Sequence, residues 1–320
     1  MKTLSKILLL VFLINGFSGC RTAYDVGDNI VRSFSDPAKV KNKIKDPIRP
    51  GVRLSALWIG HATVLIQMDD KVIMTDPFLT NHIAEIQMRI VEPGIDINDL
   101  KQLNIILLSH SHMDHVNLGS LEILEDRFPK AKLVFPDGIK EFLPDYDFTF
   151  VPLKISDYKK KKYIGQTRIV DGVSITSVAA YHWGGRYGLD GLLWGYDGFC
   201  GFIIQYNGMT VYFPGDTAYD DEFYKFLGEK YEIDIEFMPI GPCKDCTLID
   251  KPNRHLYPKG SLMVLEDSKA KLMIPIHYGT IAELSDPLEP RYVLEDLIRE
   301  QPEYKDRVKI LEIGEQIVIE

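Results

Sequence analysis

The sequence predicts an α/β fold in which two β-rich halves, each covered by helices, pack as one domain. Three observations carry this expectation. From Leu54 onward, short runs rich in Val, Ile and Leu alternate with helical patterns. The alternation comes in two similar rounds, divided near residues 181–199, with no clear sequence repeat between them. The 320 residues are 45% hydrophobic and 26% charged, with 24 Gly and 18 Pro, which is the balance of a globular chain long enough to bury a full core.

The elements follow in order. LSALWIG (54–60), ATVLIQM (62–68) and, after Asp69-Asp70, KVIMTD (71–76) read as meandering strands. NIILLSH (104–110) is a continuous apolar run, hence a strand buried on both faces. Leu118, Leu121, Ile123, Leu124 and Phe128 keep helical spacing up to Pro129, and KLVFP (132–136) is the next strand. IVDGVSITSVAA (169–180) reads as a hairpin, and Asn207-Gly208 joins FIIQY to MTVYFPGD as another. A helix over 220–227, strand DIEFMPIG (234–241), a helix over 258–266 and strand KLMIPIH (271–277) follow. The tail offers a helix at 292–299 and strands at 308–311 and 316–319.

Charge and the N-terminus narrow the function classes. Lys+Arg 37 against Asp+Glu 46 gives 37 − 46 = −9, which argues against a protein that coats nucleic acid. Four cysteines are too few for a disulfide-built scaffold. Residues 1–20 carry Lys2 and Lys6, an apolar stretch at 7–14, then Ser18-Gly19 before Cys20. This resembles a bacterial lipoprotein signal, and implies lipidation at Cys20, export and a membrane-anchored lipoprotein of the envelope. Residues 21–53, with Pro37, Pro47 and Pro50, read as a linker or loose arm, leaving 54–320 as the folded domain.

The chemistry is concentrated in Ser109-His110-Ser111-His112-Met113-Asp114-His115, directly after the buried strand. Three of the chain's eight histidines lie in this loop, and imidazoles and a carboxylate at such spacing suit a metal ion. His182, Asp216 and His277 each follow a separate predicted strand, so strand ends deliver matching ligand types to one place.

Trp58-Ile59-Gly60-His61-Ala62-Thr63, Thr75-Asp76-Pro77, SHSHMDH, His182, Gly215-Asp216-Thr217 and Ile276-His277-Tyr278-Gly279-Thr280 resemble, in order, the metallo-β-lactamase superfamily pattern. The resemblance runs from about residue 54 to 319 and implies an αββα sandwich. Within the superfamily the chain is similar to the N-acyl-phosphatidylethanolamine-hydrolysing phospholipase D group. The residues that carry this are LWIGHATVLIQMD, His182-Trp183, Leu193-Trp194-Gly195, FPGDTAY, MPIG and Arg254-His255. Two departures are Tyr278, where that group commonly has Trp, and the CKDC insert (243–246).

Carried over, the resemblance implies that His110, His112 and His182 hold one metal and Asp114, His115 and His277 a second, with Asp216 bridging. Asp76 and His61 would orient ligands. Two zinc ions are expected, with iron or manganese also compatible, and hydroxide held between them would attack phosphorus. Asp114 and His255 are candidates to supply the leaving group's proton. Trp183, Tyr187 and Trp194, in a Gly-rich stretch beside His182, would contact an amphipathic substrate or pack as a compact loop. The lysines at 159–162 read as a solvated face, Cys243 and Cys246 as a small local disulfide, and Cys200 as a buried thiol. The expected function is therefore a phosphodiesterase of phospholipase D type on a lipid substrate. A lactonase or other hydrolase of this fold and a non-catalytic metal-binding lipoprotein are the alternatives.

Overall fold

The computed structural model describes residues 36–41, 43–83, 87–186, 198–252, 254–282 and 285–319. The first half supplies β1 (Leu54–Gly60), β2 (Thr63–Met68), β3 (Lys71–Thr75), the short pair β4 (His82–Ile83) and β5 (Gln87–Met88), β6 (Ile105–Leu107), α1 (Leu118–Arg127), β7 (Lys132–Pro136) and β8 (Thr149–Leu153). The second half supplies β9 (Ile164–Val170), β10 (Val173–Val178), β11 (Gly201–Tyr206), β12 (Met209–Phe213), α2 (Asp221–Lys230) and β13 (Ile235–Pro239). It continues with the pair β14 (Asp250–Lys251) and β15 (His255–Leu256), then α3 (Pro258–Ser268), β16 (Leu272–Ile276) and α4 (Glu289–Glu300). β17 (Gln316–Val318) crosses back to pair with β1.

Two sheets result, in the orders β17-β1-β2-β3-β6-β7-β8 and β16-β13-β12-β11-β10-β9. Period-two alternation along each strand of the first sheet feeds two cores. Ala56, Trp58, Ile66, Ile73, Leu107 and Val134 join Ile175, Phe202, Ile204 and Phe213 of the second sheet. Their neighbours Leu57, Ile59, Leu65, Met74, Ile106 and Leu133 pack instead with Leu121 and Leu124 of α1. Phe223 and Leu227 of α2 and Leu262 and Leu265 of α3 pack with the second sheet. The architecture is the αββα sandwich expected from the sequence.

Local chemistry sets the ends of these elements. Asn117 caps α1 by accepting from Ser120 N–H at 2.9 Å, and Asp220 caps α2 by accepting from Phe223 N–H at 2.9 Å. Asp171-Gly172 and Asn207-Gly208 turn their hairpins with positive φ at both positions (50° and 86°, 47° and 81°), as a type I′ turn demands.

Two expectations change. Residues 308–311 form no strand: Val308 makes one isolated parallel bridge to Met273 before the chain turns towards β17. The described part of the expected loose arm is packed on the domain. Ala38 N–H donates to Ile90 O (2.9 Å), Lys43 pairs with Glu92 (3.2 Å), and Gln67 Nε2–H donates to Arg49 O (2.9 Å).

Candidate metal centre

The residues of the centre come from strand ends and the loops they feed. β1 leads into His61, β3 into Asp76, β6 into residues 109–115, β10 towards His182, β12 into Asp216 and β16 into His277. His61, Asp76 and His277 have φ of 54°, 31° and 65°, the left-handed region that residues with a Cβ avoid. Backbone bonds hold them there. His61 N–H donates to Thr280 Oγ1 (2.7 Å), Asp76 N–H to Leu107 O (2.8 Å) and His277 N–H to His61 O (3.0 Å). Gly215 (φ 62°) lets the Asp216 turn approach, since a Cβ there would lie 2.4 Å from the Ser109 Cβ.

Two clusters form, each with its donor atoms within 4.8 Å of one another: His110, His112, His182 and Asp216, and His61, Asp114, His115 and His277. Asp216 reaches both. Its carboxylate lies 3.9 Å from His110 Nε2 and 3.7 Å from His182 Nε2, and 3.4 Å from His115 Nε2 and 3.1 Å from His277 Nε2. His255 Nδ1 approaches the same carboxylate at 3.4 Å, with 13% of its side chain exposed.

Hydrogen bonds behind the rings fix which nitrogen faces the centre. A carbonyl can only accept, so His182 Nδ1–H donates to Arg254 O (2.8 Å) and Nε2 presents its lone pair. His115 Nδ1–H donates to Asp76 Oδ2 at 2.7 Å, which turns its Nε2 towards Asp216. Ser109 Oγ–H donates to Asp76 Oδ2 (2.6 Å), so it accepts from His110 Nδ1–H (2.9 Å) and leaves His110 Nε2 bare. Nε2 of His110, His115 and His182 thus all face Asp216, with lone pairs bare on His110 and His182, a donor set that suits a divalent cation. The residues fit two ions.

The electrostatics differ between the two clusters, and Asp216 raises His277 against the effect of burial. Burial holds His110 and His182 well below the usual imidazole range, so both are neutral ligand types. Burial lowers His61 to about 3, aided by His277, and His255 to about 4. Burial alone would raise the Asp216 and Asp114 carboxyls. His277, His115 and His255 instead bring Asp216 well below the carboxylate range, and His115 and His61 do so for Asp114. Burial would lower His115, but Asp216, Asp114 and Asp76 hold it well above its ordinary value. Burial raises Asp76 against the pull of His115 and Ser109.

The structure therefore brings His110, His112, Asp114, His115, His182, Asp216 and His277 together, and Asp76 behind them. His61 stands inside the second cluster, its Nε2 2.9 Å from Asp114 Oδ2 and its ring 4.0 Å from that of His277. Trp183 lies against the rings of His182 (4.0 Å) and His112 (4.8 Å), under the Arg254 guanidinium (4.5 Å). Tyr187, Trp194 and Cys20 lie outside the described residues. Cys243 and Cys246 are disulfide-bonded and Cys200 is buried and free. Two of the four lysines at 159–162 pair with acids, Lys160 with Asp157 (2.9 Å) and Lys161 with Glu222 (2.6 Å). A cavity of about 1010 Å³ borders Tyr278 and Gly279, walled by Val40, Ile44 and Trp58, and none of the clustered His or Asp residues lines it.

Three supporting residues escaped the sequence reading. Ser109 and Thr280 lie within quoted motifs but were not singled out, although a hydroxyl beside a ligand is a usable signal. Arg89 is fully buried and donates to the carbonyls of Val91 (3.0 Å), Ile59 (3.2 Å) and Phe78.

Sheets, helices and paired donor clusters define the class: a metal-dependent hydrolase with a dinuclear centre. Residues 71–278 match the family described as beta-lactamase superfamily domain, and the chain belongs to the metallo-β-lactamase superfamily. The N-acyl-phosphatidylethanolamine-hydrolyzing phospholipase D 1 of Caenorhabditis elegans is 27% identical over 283 residues, covering 83% of this chain and 76% of that one. The mitochondrial enzyme of the same name from Saccharomyces cerevisiae is 27% identical over 80% of this chain, which spans 54% of its length. A metal-dependent hydrolase of Thermodesulfovibrio yellowstonii is 30% identical, covering 82% of this chain and 91% of its own. Among solved structures, isothiocyanate hydrolase from Delia radicum gut bacteria shares the fold with a TM-score of 0.60 at 20% identity, covering 82% and 98%.

Proposed function

We propose that the protein is a phosphodiesterase of phospholipase D type acting on N-acyl-phosphatidylethanolamine-like lipids. The observation that carries this is Asp216, whose carboxylate lies 3.1–3.9 Å from imidazoles of both clusters. A carboxylate reaching both clusters would serve as a ligand to two cations, which would supply the charge stabilisation that displacement at phosphorus needs. The worm and yeast relatives named for that activity support the substrate class.

In this reading His110, His112 and His182 hold one zinc ion, Asp114, His115 and His277 the other, and Asp216 both; an imidazole-rich set also accepts iron or manganese. When bound, two such ions generate a nucleophile from water near neutral pH and absorb the charge that develops on the phosphoryl oxygens. Asp76 fixes His115 directly and His110 through Ser109. His61 holds Asp114 at Oδ2. His255, whose Nδ1 lies 3.4 Å from the Asp216 carboxylate, and Asp114 are the two groups placed to pass a proton to the leaving oxygen. Trp183 gives the mouth an apolar wall for the lipid. Lipidation at Cys20 would keep the enzyme at the envelope membrane where its substrate is concentrated.

The test is a panel of N-acyl-phosphatidylethanolamine, simpler phosphodiesters, lactones and β-lactams, assayed with the full chain loaded with zinc, manganese or iron. Wild type is expected to bind two ions and cleave the lipid, and Asp216→Ala to lose at least one ion and roughly 100-fold or more in kcat/KM. Ready lactone opening with every phosphodiester untouched would falsify the phosphodiesterase reading.

A further inference from the structure

Between β13 and α3 the chain makes a loop that the Cys243–Cys246 disulfide staples, with both sulfurs buried against Tyr257. The rest of the loop is equally well tied. Ser285 Oγ–H donates to Cys243 O (3.0 Å) and Tyr257 N–H to Ile249 O (3.0 Å). β14 pairs Asp250 with Leu256 and Lys251 with His255. On this fixed frame Leu248 is 53% and Ile249 36% exposed. Two neighbouring branched apolar side chains are thus held out of the fold.

Charge points the same way. The loop's acids are used internally: Asp245 accepts from Thr247 N–H (3.1 Å) and Oγ1–H (2.6 Å), and Asp250 from Tyr219 N–H (2.9 Å). Lys244, Lys251 and Lys259 are exposed and make no ion pair among the described residues. Residues 243–259 carry Lys244, Lys251, Arg254 and Lys259 against Asp245 and Asp250, 4 − 2 = +2, in a chain of net charge −9. An apolar pair flanked in sequence by exposed cations is complementary to the interface of an anionic bilayer.

We propose that residues 243–259 form the docking surface for an anionic lipid bilayer. Leu248 and Ile249 enter the interface, and Lys244, Lys251 and Lys259 meet the head groups. Because Lys251 pairs with His255 across the β14–β15 ladder, a docked loop sets the centre's mouth at head-group level, where a phosphodiester lipid is reached without leaving the leaflet. This rests on the lipid-phosphodiesterase reading above.

The test uses the full chain bound to vesicles of brominated phosphatidylcholine with about one third phosphatidylglycerol. Leu248→Trp is expected to lose about half its added emission by quenching, and Ile169→Trp, at a site 69% exposed on β9, to lose none. Lys244→Glu with Lys251→Glu in the Leu248→Trp background is expected to reduce that quenching. An unquenched Leu248→Trp on vesicle-bound protein overturns the proposal. So does shielding that needs no vesicles and grows with protein concentration, which would mean a second copy covers the patch. Quenching needs no turnover, so a docked protein that leaves every phosphodiester intact overturns the proposed function alone.

Discussion

Glu236, the second residue of β13, has no exposed surface, and its Oε2 accepts from Ser268 Oγ–H at 2.7 Å. Burial pushes its carboxyl from 4.5 to about 8, so at neutral pH the folded protein keeps it protonated while the unfolded chain does not. The native state therefore binds the extra proton, and the stability this group contributes is full below 4.5 and lost as pH rises through about 8. Glu236→Gln is expected to flatten the fall of Tm between about pH 6 and pH 9 relative to wild type by a few degrees. Calorimetry at the two pH values checks this, and parallel slopes would refute it. Neither Glu236 nor Arg89 could be singled out from sequence. Each depends on partners remote in the chain, Ser268 for one and Ile59 and Phe78 for the other. The ligand residues were legible because the motif packs three imidazoles and a carboxylate into six positions, a density with no use in an apolar core.

The strand ends matter more than the strands for this centre. Gly215 shows how closely two of them must approach: φ is 62°, and an added Cβ would sit 2.4 Å from the Ser109 Cβ. Gly215→Ala is expected to push the Asp216 turn away from Ser109, lowering bound metal from two ions per chain and costing about 2–4 kcal/mol of stability. Metal analysis beside thermal unfolding tests this, and full loading at unchanged Tm would refute it. Hairpins were readable where turn chemistry is local, as at Asn207-Gly208 and Asp171-Gly172. The tail was not: residues 308–311 have strand-like composition, but Met273 offers only a single bridge there, and edge pairing is decided by tertiary position rather than by propensity. The packed arm was unreadable for the same reason, because its partners Ile90, Glu92 and Gln67 lie far along the chain.

At the scale of the molecule, strand ends of both sheets bring imidazoles and carboxylates together in one buried cluster. Chelation of the loaded protein is expected to lower Tm by roughly 5–10 °C, the loss that follows from removing ligands bound at about 100 times their Kd. Asp216→Ala should show a smaller drop, and a chelator that leaves wild-type Tm unchanged would mean the ions carry no part of the fold's stability. The packed arm has a mechanical consequence. Were Cys20 to carry the proposed lipid, 38 − 20 = 18 residues would separate it from Ala38, the first bonded to the domain among the described residues, a contour of about 65 Å at most. Had the arm been free to Leu54, 54 − 20 = 34 residues would reach about 120 Å. Tying down the described residues between 38 and 52 would nearly halve that reach, so a protein anchored at Cys20 would be held in a shallow layer above its leaflet, where lateral diffusion would set its encounters.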